Sequence, residues 1–148
     1  METIRRFNIR VYGILIEDDR ILLVDEHYMK REMTKFPGGG LNPGEGTIEC
    51  LKREIKEELN MEVEVKDHLY TTDFFQRSIF KETDQVFSIY YFIERKHKNS
   101  PINFNWLNVA NEHKIRFHWA DLKDFTVDML TFPIDKKVGE MILSKFKP

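Results

Sequence analysis

A chain of 148 residues, 41% hydrophobic and 32% charged, is long enough to bury a sizeable core and is expected to form one domain over residues 1–148. Its net charge of −2, with no basic block, offers no general attraction to a nucleic-acid polymer or an anionic membrane and argues against both as partners. One cysteine, Cys50, excludes an internal disulfide or a cysteine metal cluster, and with no signal-like run or stretch of 18 apolar residues the expected location is the cytoplasm.

In chain order, Ile4 to Ile9 is short and mixed, an edge-strand pattern. Val11, Tyr12, Ile14, Leu15 and Ile16 make a β-rich run, and Glu17-Asp18-Asp19-Arg20 reads as a tight turn into Ile21–Val24, so a hairpin is expected. Asp25 to Lys35 carries His27, Lys30, Arg31 and Lys35 and reads as a charged loop at the mouth of a site. Phe36-Pro37 then leads into Gly38, Gly39 and Gly40, which remove side chains and allow a close backbone approach. Beyond them the sequence predicts a helix capped at Thr47, with Ile48, Leu51, Ile55 and Leu59 as its apolar stripe.

Glu54, Glu57 and Glu58 fall at spacings of three and four on the adjoining polar face of that helix. Like charges held so close repel one another, and a divalent cation at their point of convergence would remove the conflict. A solvated acidic face with local pairs such as Glu49 to Arg53 is the plainer reading of a lone acidic run.

The second half is expected to hold a strand over Val63–Tyr70, and then either a sheet extension or an aromatic loop over Thr71–Phe80. A turn at Lys81–Asp84 should lead into the strong strand Gln85–Glu94, followed by a polar connection over Arg95–Pro101. Asn103–Leu107 reads as a strand edge. Lys114–Trp119 alternates as a half-buried strand with Ile115, Phe117 and Trp119 inward, and Ala120–Phe125 reads as the start of a short helix. Ile134, Val138, Met141, Ile142 and Phe146 predict an amphipathic terminal helix beginning near Asp135.

Taken together, Gly39, Glu45, Arg53, Glu54, Ile55, Glu57, Glu58 and Met61 stand at the spacing of the Nudix signature, which the stretch Phe36–Met61 resembles. The pattern departs at one position: Asn60 stands where the helix-ending glycine is usual, and Asn is the non-glycine residue that best tolerates a left-handed cap. The resemblance implies an α+β fold, a Nudix-like α/β/α sandwich with a mixed sheet between helices. It also implies Mg²⁺-dependent hydrolysis of a phosphoanhydride in a nucleoside diphosphate linked to another moiety, with Mn²⁺ as an alternative ion. Under it, Glu57 and Glu58 are the leading metal ligands, Glu54 is either a ligand or the base that orients water, and Arg53 braces the glutamates and the glycine loop. Glu45 orders the loop near the site, with Gly38, Gly39 and Gly40 as structural support.

The substrate expected is a small nucleotide: a nucleoside triphosphate, a nucleotide sugar or ADP-ribose. Two rival readings are a non-catalytic nucleotide-binding module and an RNA cap-processing hydrolase. The intact glutamates weigh against the first and the lack of a basic tract against the second. A further metal carboxylate from outside the signature is assigned first to Glu82, with Asp84 and Glu112 as alternatives. Arg31, Lys35 and Arg77 are candidate phosphate contacts, and Tyr28, Phe74, Phe75 and Phe80 candidate stacking residues. His118 is either a substrate contact or an outward strand residue. A hydrophobic strand edge near the N-terminus would serve either a homodimer interface or a monomer's core.

Overall fold

In the computed structural model, residues 1–146 are described and the chain folds as two compact units. The first comprises Met1–Gly13 and Gly38–Lys96, and the second Ile14–Pro37 and the chain from His97 onward. No helix among the described residues is long and apolar enough to cross a membrane.

The first unit takes the N-terminal half of strand β1 (Arg6–Glu17), together with β4 (Gly38–Gly40), helix α1 (Thr47–Leu59), β5 (Val63–Thr71) and β6 (Asp84–Arg95). The expected edge strand at Ile4–Ile9 and the β-rich run after it are therefore one continuous strand. Antiparallel pairing sets Arg10, Val11 and Tyr12 opposite Gly40, Gly39 and Gly38, and β5 runs antiparallel to β6. Gly38 is required by its surroundings: its φ is +149°, and a Cβ there would lie 2.1 Å from the Val11 carbonyl oxygen. The glycines are thus a short strand rather than a free turn, held on β1 before the chain enters α1.

Helix α1 differs in two details from the expected pattern. Its N-cap is Gly46, one residue before Thr47, and the Glu49 carboxylate returns to accept the Gly46 N–H at 3.2 Å. Ile48 is 46% exposed, and Cys50 takes its place on the buried face with Leu51, Ile55 and Leu59. Starting the helix one residue earlier does not alter the period. The buried arc is centred further along the turn, so the residue two before Lys52 is covered and the one four before it is not. At the other end Asn60 adopts the left-handed cap conformation, φ 50° and ψ 39°, and donates its N–H to Lys56 O at 2.9 Å.

The second unit is built on β2 (Arg20–Tyr28), which pairs with the C-terminal half of β1, with β3 (Arg31–Lys35) and with β8 (His113–Asp121). The short strand β7 (Leu107–Ala110) borders β8. Asp18 and Asp19 both have positive φ, as a two-residue hairpin turn of the primed type requires, and so do Met29 and Lys30. That second turn corrects the loop expected over Asp25–Lys35, which is a hairpin. Its charged residues belong to a strand because they find polar partners across the ladder: Thr34 Oγ1 donates to Asp25 at 2.8 Å, and His27 lies 3.5 Å from Glu32.

Two further expectations change in this unit. The strand edge expected from Asn103 begins only at Leu107. The helix expected over Ala120–Phe125 is a single turn, closed by the Phe125 N–H on Asp121 O at 3.0 Å. The nearby helical segment is a 3-10 turn at Val127–Met129. Ile115 and Phe117 are buried as the alternation predicts, whereas Trp119 is half-buried beneath the Arg20 guanidinium, 4.5 Å from its ring. The terminal helix α2 (Pro133–Phe146) buries Ile134, Val138 and Ile142, while Phe146 is 40% exposed at its last position. Val127 of the 3-10 turn and Leu130, the residue after it, approach Gly139 so closely that a Cβ there would meet them at 3.1 and 3.0 Å.

The left-handed cap yields a stability test by urea unfolding followed by circular dichroism. Asn60→Gly should stay within about 0.5 kcal/mol of the parent, and Asn60→Val, with a β-branched side chain at positive φ, should lose about 1–2 kcal/mol.

Candidate active site on helix α1

The polar face of α1 is organised by one guanidinium. Arg53 makes a bidentate pair with Glu45, Nε to Oε2 at 2.9 Å and Nη2 to Oε1 at 2.6 Å, the geometry in which a planar fork meets a carboxylate. Nη2 also donates to the Gly40 carbonyl at 3.0 Å, which ties the helix to β4. Nη1 donates to Glu54 Oε1 at 2.9 Å and, less closely, to Glu57 Oε2 at 3.3 Å. Of the predicted residues, Arg53, Glu45, Glu54, Glu57 and Gly40 are thereby brought together. Glu58 is half-buried on the same helix, one turn beyond Glu54.

The loop before the helix holds Glu45 from its other side. Its Oε1 accepts the Asn42 N–H at 2.9 Å, and its side chain is only 15% exposed. These two donors, Arg53 first and then the Asn42 backbone, hold the Glu45 carboxyl down at about 2 against an ordinary 4.5. The Arg53 guanidinium is correspondingly raised, first by its hydrogen bond to Glu45. Glu49 is not the partner of Arg53 that helix spacing suggested, since it is engaged on the Gly46 N–H.

Gly39 makes a second contact that the signature spacing does not announce. A Cβ on Gly39 would fall 2.4 Å from the Cδ and Oε2 of Glu54, so the carboxylate lies directly against the β4 backbone. Cys50 was also missed as a neighbour of the site. Its thiol donates to Gly40 O at 3.4 Å and lies 3.8 Å from Arg53 Nη2. Burial, and then Glu45, push it up to about 11, so it is a protonated donor and not a nucleophile. The signal was available, because Cys50 precedes Arg53 by one helical turn.

Other candidates in the first unit have different partners. Glu82 is exposed, and its backbone carbonyl accepts from Arg77 Nη1, which also donates to Glu2 O at 2.7 Å. Asp84 is buried in an ion pair with Arg6 at 3.2 Å. Phe74 and Phe75 are 37% and 56% exposed, with the Arg77 guanidinium 5.7 Å from the Phe75 ring, and Phe80 is half-buried in the same loop.

In the second unit, Arg31 is exposed at the start of β3 and Glu112 lies exposed in the turn before β8. Lys35 is buried against Glu26 at 3.3 Å, and His113 Nε2 reaches the same carboxylate at 2.6 Å. Tyr28 lies tilted against the His113 ring, with centroids 4.5 Å apart. His118 lies 3.1 Å from Asp25, which also receives Arg116 at 2.9 Å. Sequence reasoning missed both clusters, because their members are up to 93 residues apart and meet only through the strand register.

Among the described residues, no three acidic, histidine or cysteine side chains already surround a point that a metal ion would occupy. Arg53 Nη1 lies within hydrogen-bonding distance of both Glu54 and Glu57. The donor set is nonetheless of the right kind for a hard divalent cation. It consists of carboxylate oxygens on one helical face, and Gly39 leaves the backbone beside them bare.

Three comparisons bear on the chain. The family model described as "NUDIX domain" matches residues 6–141. The human protein "Nucleoside diphosphate-linked moiety X motif 6" is 28% identical over 129 residues, 86% of this chain, and the match spans 38% of that protein's length. Among solved structures, the Escherichia coli ORF135 protein aligns with a TM-score of 0.70 at 21% identity, covering 97% of this chain and 94% of that one. A MutT protein from Methanosarcina mazei Go1 gives 0.68 at 21% identity, with 100% and 99% covered. A MutT NUDIX hydrolase from Burkholderia pseudomallei gives 0.70 at 18%, with 92% and 98% covered. These likenesses show the fold, an α+β arrangement with a mixed sheet flanked by helices as in a Nudix-like α/β/α sandwich.

The Glu45–Arg53 pair predicts an acid dependence of stability. A carboxyl held below its unfolded value contributes stability that is fully present above about 4.5 and is lost as the pH falls through about 2. The difference in urea midpoint between the parent protein and Glu45→Gln should therefore be constant above pH 4.5 and should close as the pH falls toward 2.

Proposed function

This chain belongs to the NUDIX family, and on that premise we propose that it is a Mg²⁺-dependent hydrolase, one domain over residues 1–148. It would cleave a phosphoanhydride in a nucleoside diphosphate linked to another moiety. The observation that carries the proposal is the carboxylate set on α1: Glu45, Glu54 and Glu57 are gathered on one arginine, with Glu54 seated against the bare backbone of Gly39. A solvated acidic face would not bring a glycine strand to within van der Waals distance of a carboxylate, nor hold its only arginine in a five-bond clasp.

Glu54, Glu57 and Glu58 would hold the ion, with Mn²⁺ as an alternative to Mg²⁺. When bound there, Mg²⁺ offsets charge on the phosphate oxygens and lowers the pKa of a coordinated water. The protein's own contribution is positional. Arg53 keeps Glu45 and Gly40 in register, so that β4 and α1 are fixed relative to each other before substrate arrives. Glu54 is restrained on both sides, by Nη1 of Arg53 and by the Gly39 backbone, and is the carboxylate best placed to keep one orientation while accepting a proton or a ligand bond. Glu57, 59% exposed, is the one that can turn outward.

The substrate class we favour is a small nucleotide: a nucleoside triphosphate, a nucleotide sugar or ADP-ribose. The near-neutral charge supports this over a polymer, since an RNA-body site would need Lys and Arg along the backbone path. In this reading the protein works in the cytoplasm, where such nucleotides and Mg²⁺ are both abundant.

A hydrolysis screen over these compounds with and without Mg²⁺, products resolved by mass, tests the proposal. Turnover of one class should depend on Mg²⁺, and Glu57→Gln should lower kcat by roughly two orders of magnitude with the fold intact by circular dichroism. Equal activity in parent and variant at saturating Mg²⁺ would remove Glu57 from the site.

A further inference from the structure

Arg53 has two unlike halves. Its Nε and Nη2 edge is anchored: Glu45 meets it through both oxygens, is only 15% exposed, and is held again by the Asn42 N–H, while Gly40 O takes a further bond from Nη2. Its Nη1 corner is shared between Glu54 at 2.9 Å and Glu57 at 3.3 Å, and the Glu57 side chain is 59% exposed. The guanidinium is planar and rigid, so while Nε and Nη2 keep their partners Nη1 cannot swing away. Any change at that corner must come from the carboxylates.

Those two carboxylates are among the three that would hold a divalent cation, in the metal-dependent reading on which this inference rests. A Mg²⁺–oxygen bond of about 2.1 Å is shorter and more demanding in direction than either hydrogen bond. Among the described residues no three acidic, histidine or cysteine side chains yet surround a point for the ion, so a carboxylate has to move for the ion to be held. Glu54 is pressed against Gly39, where a Cβ would lie 2.4 Å away, so it has little room to move as a body. Glu57 has that freedom.

We propose that Arg53 Nη1, which bridges Glu54 and Glu57, is a latch on the Glu57 carboxylate, opened when a divalent cation binds. In the metal-free protein Nη1 offsets the repulsion between the two. On binding, Glu57 turns off Nη1, while Nε and Nη2 remain on Glu45 and Gly40 and Nη1 keeps Glu54. The N–H of Nη1 that Glu57 released is then left facing solvent beside the carboxylates, as a donor for an anion. A phosphate group is the chemical class that such an uncovered donor would take, so cation and phosphate should bind with positive coupling.

The test is a titration of the 148-residue chain with Mg²⁺ alone, at constant ionic strength. It is followed by NMR of the arginine side chains, the Arg53 signals being identified by their absence in Arg53→Lys. In parallel, calorimetry or the rise in Tm reports whether the ion binds at all. The expected result is saturable binding with water exchange of the Nη1 protons accelerated about tenfold, the equivalent of one lost charge-assisted hydrogen bond, while Nε–H stays protected. Binding with no change at Nη1 would overturn the latch and leave the metal-dependent reading standing. A folded protein with neither heat nor a Tm rise would overturn both. If Arg53→Lys does not fold, the signals are assigned through bonds in the parent protein, and the same outcomes apply.

Discussion

The site depends on one buried-edge ion pair, the clasp of Arg53 on Glu45. An arginine amid several carboxylates on a helix would ordinarily sample many pairings, each weak and screened. Here the choice is removed because Glu45 is supplied by the loop before the helix and is itself tied down by the Asn42 N–H. Once that edge of the fork is fixed, the positions of Nη2 at Gly40 O and of Nη1 near Glu54 and Glu57 follow from the plane of the guanidinium. One interaction thus sets the distance between β4 and α1 and the orientation of the acidic face.

The glycines serve this arrangement in different ways. Gly38 has a backbone conformation and a contact with Val11 O that no side chain would permit, so it places β4 on β1. Gly39 has no unusual φ, but the Glu54 carboxylate occupies the space where its Cβ would be. Gly40 contributes its carbonyl, shared by Arg53 and by the Cys50 thiol. A run of three glycines therefore reflects three separate demands, those of strand geometry, carboxylate packing and backbone acceptance.

The second unit meets a different problem, that of charged residues inside a sheet. Glu26 and Lys35 are both nearly buried, and they are tolerated because they neutralise one another and His113 completes the set. Asp25, one residue earlier and therefore on the opposite face of β2, is satisfied by Thr34, Arg116 and His118. The same alternation that usually separates apolar from polar here separates two polar clusters. It is also why this stretch, read one residue at a time, looks like a loop.

What the sequence determined by itself was set by local spacing. The hairpin at Asp18-Asp19, helix α1 with its acidic face, the left-handed cap at Asn60, the strand after Asp84 and the terminal helix were all legible, because their signals lie within one or two turns of chain. The family was legible for the same reason, since its motif fits in a single loop and helix. Only the tertiary structure decided which carboxylate holds which edge of Arg53, that Glu54 rests on Gly39, that Cys50 and not Ile48 is buried, and that Asp25–Lys35 is a hairpin. Those outcomes depend on strand register and on how deeply a helix face is covered, which bring together residues as far apart as Asp25 and His118 and leave no periodic trace in the chain.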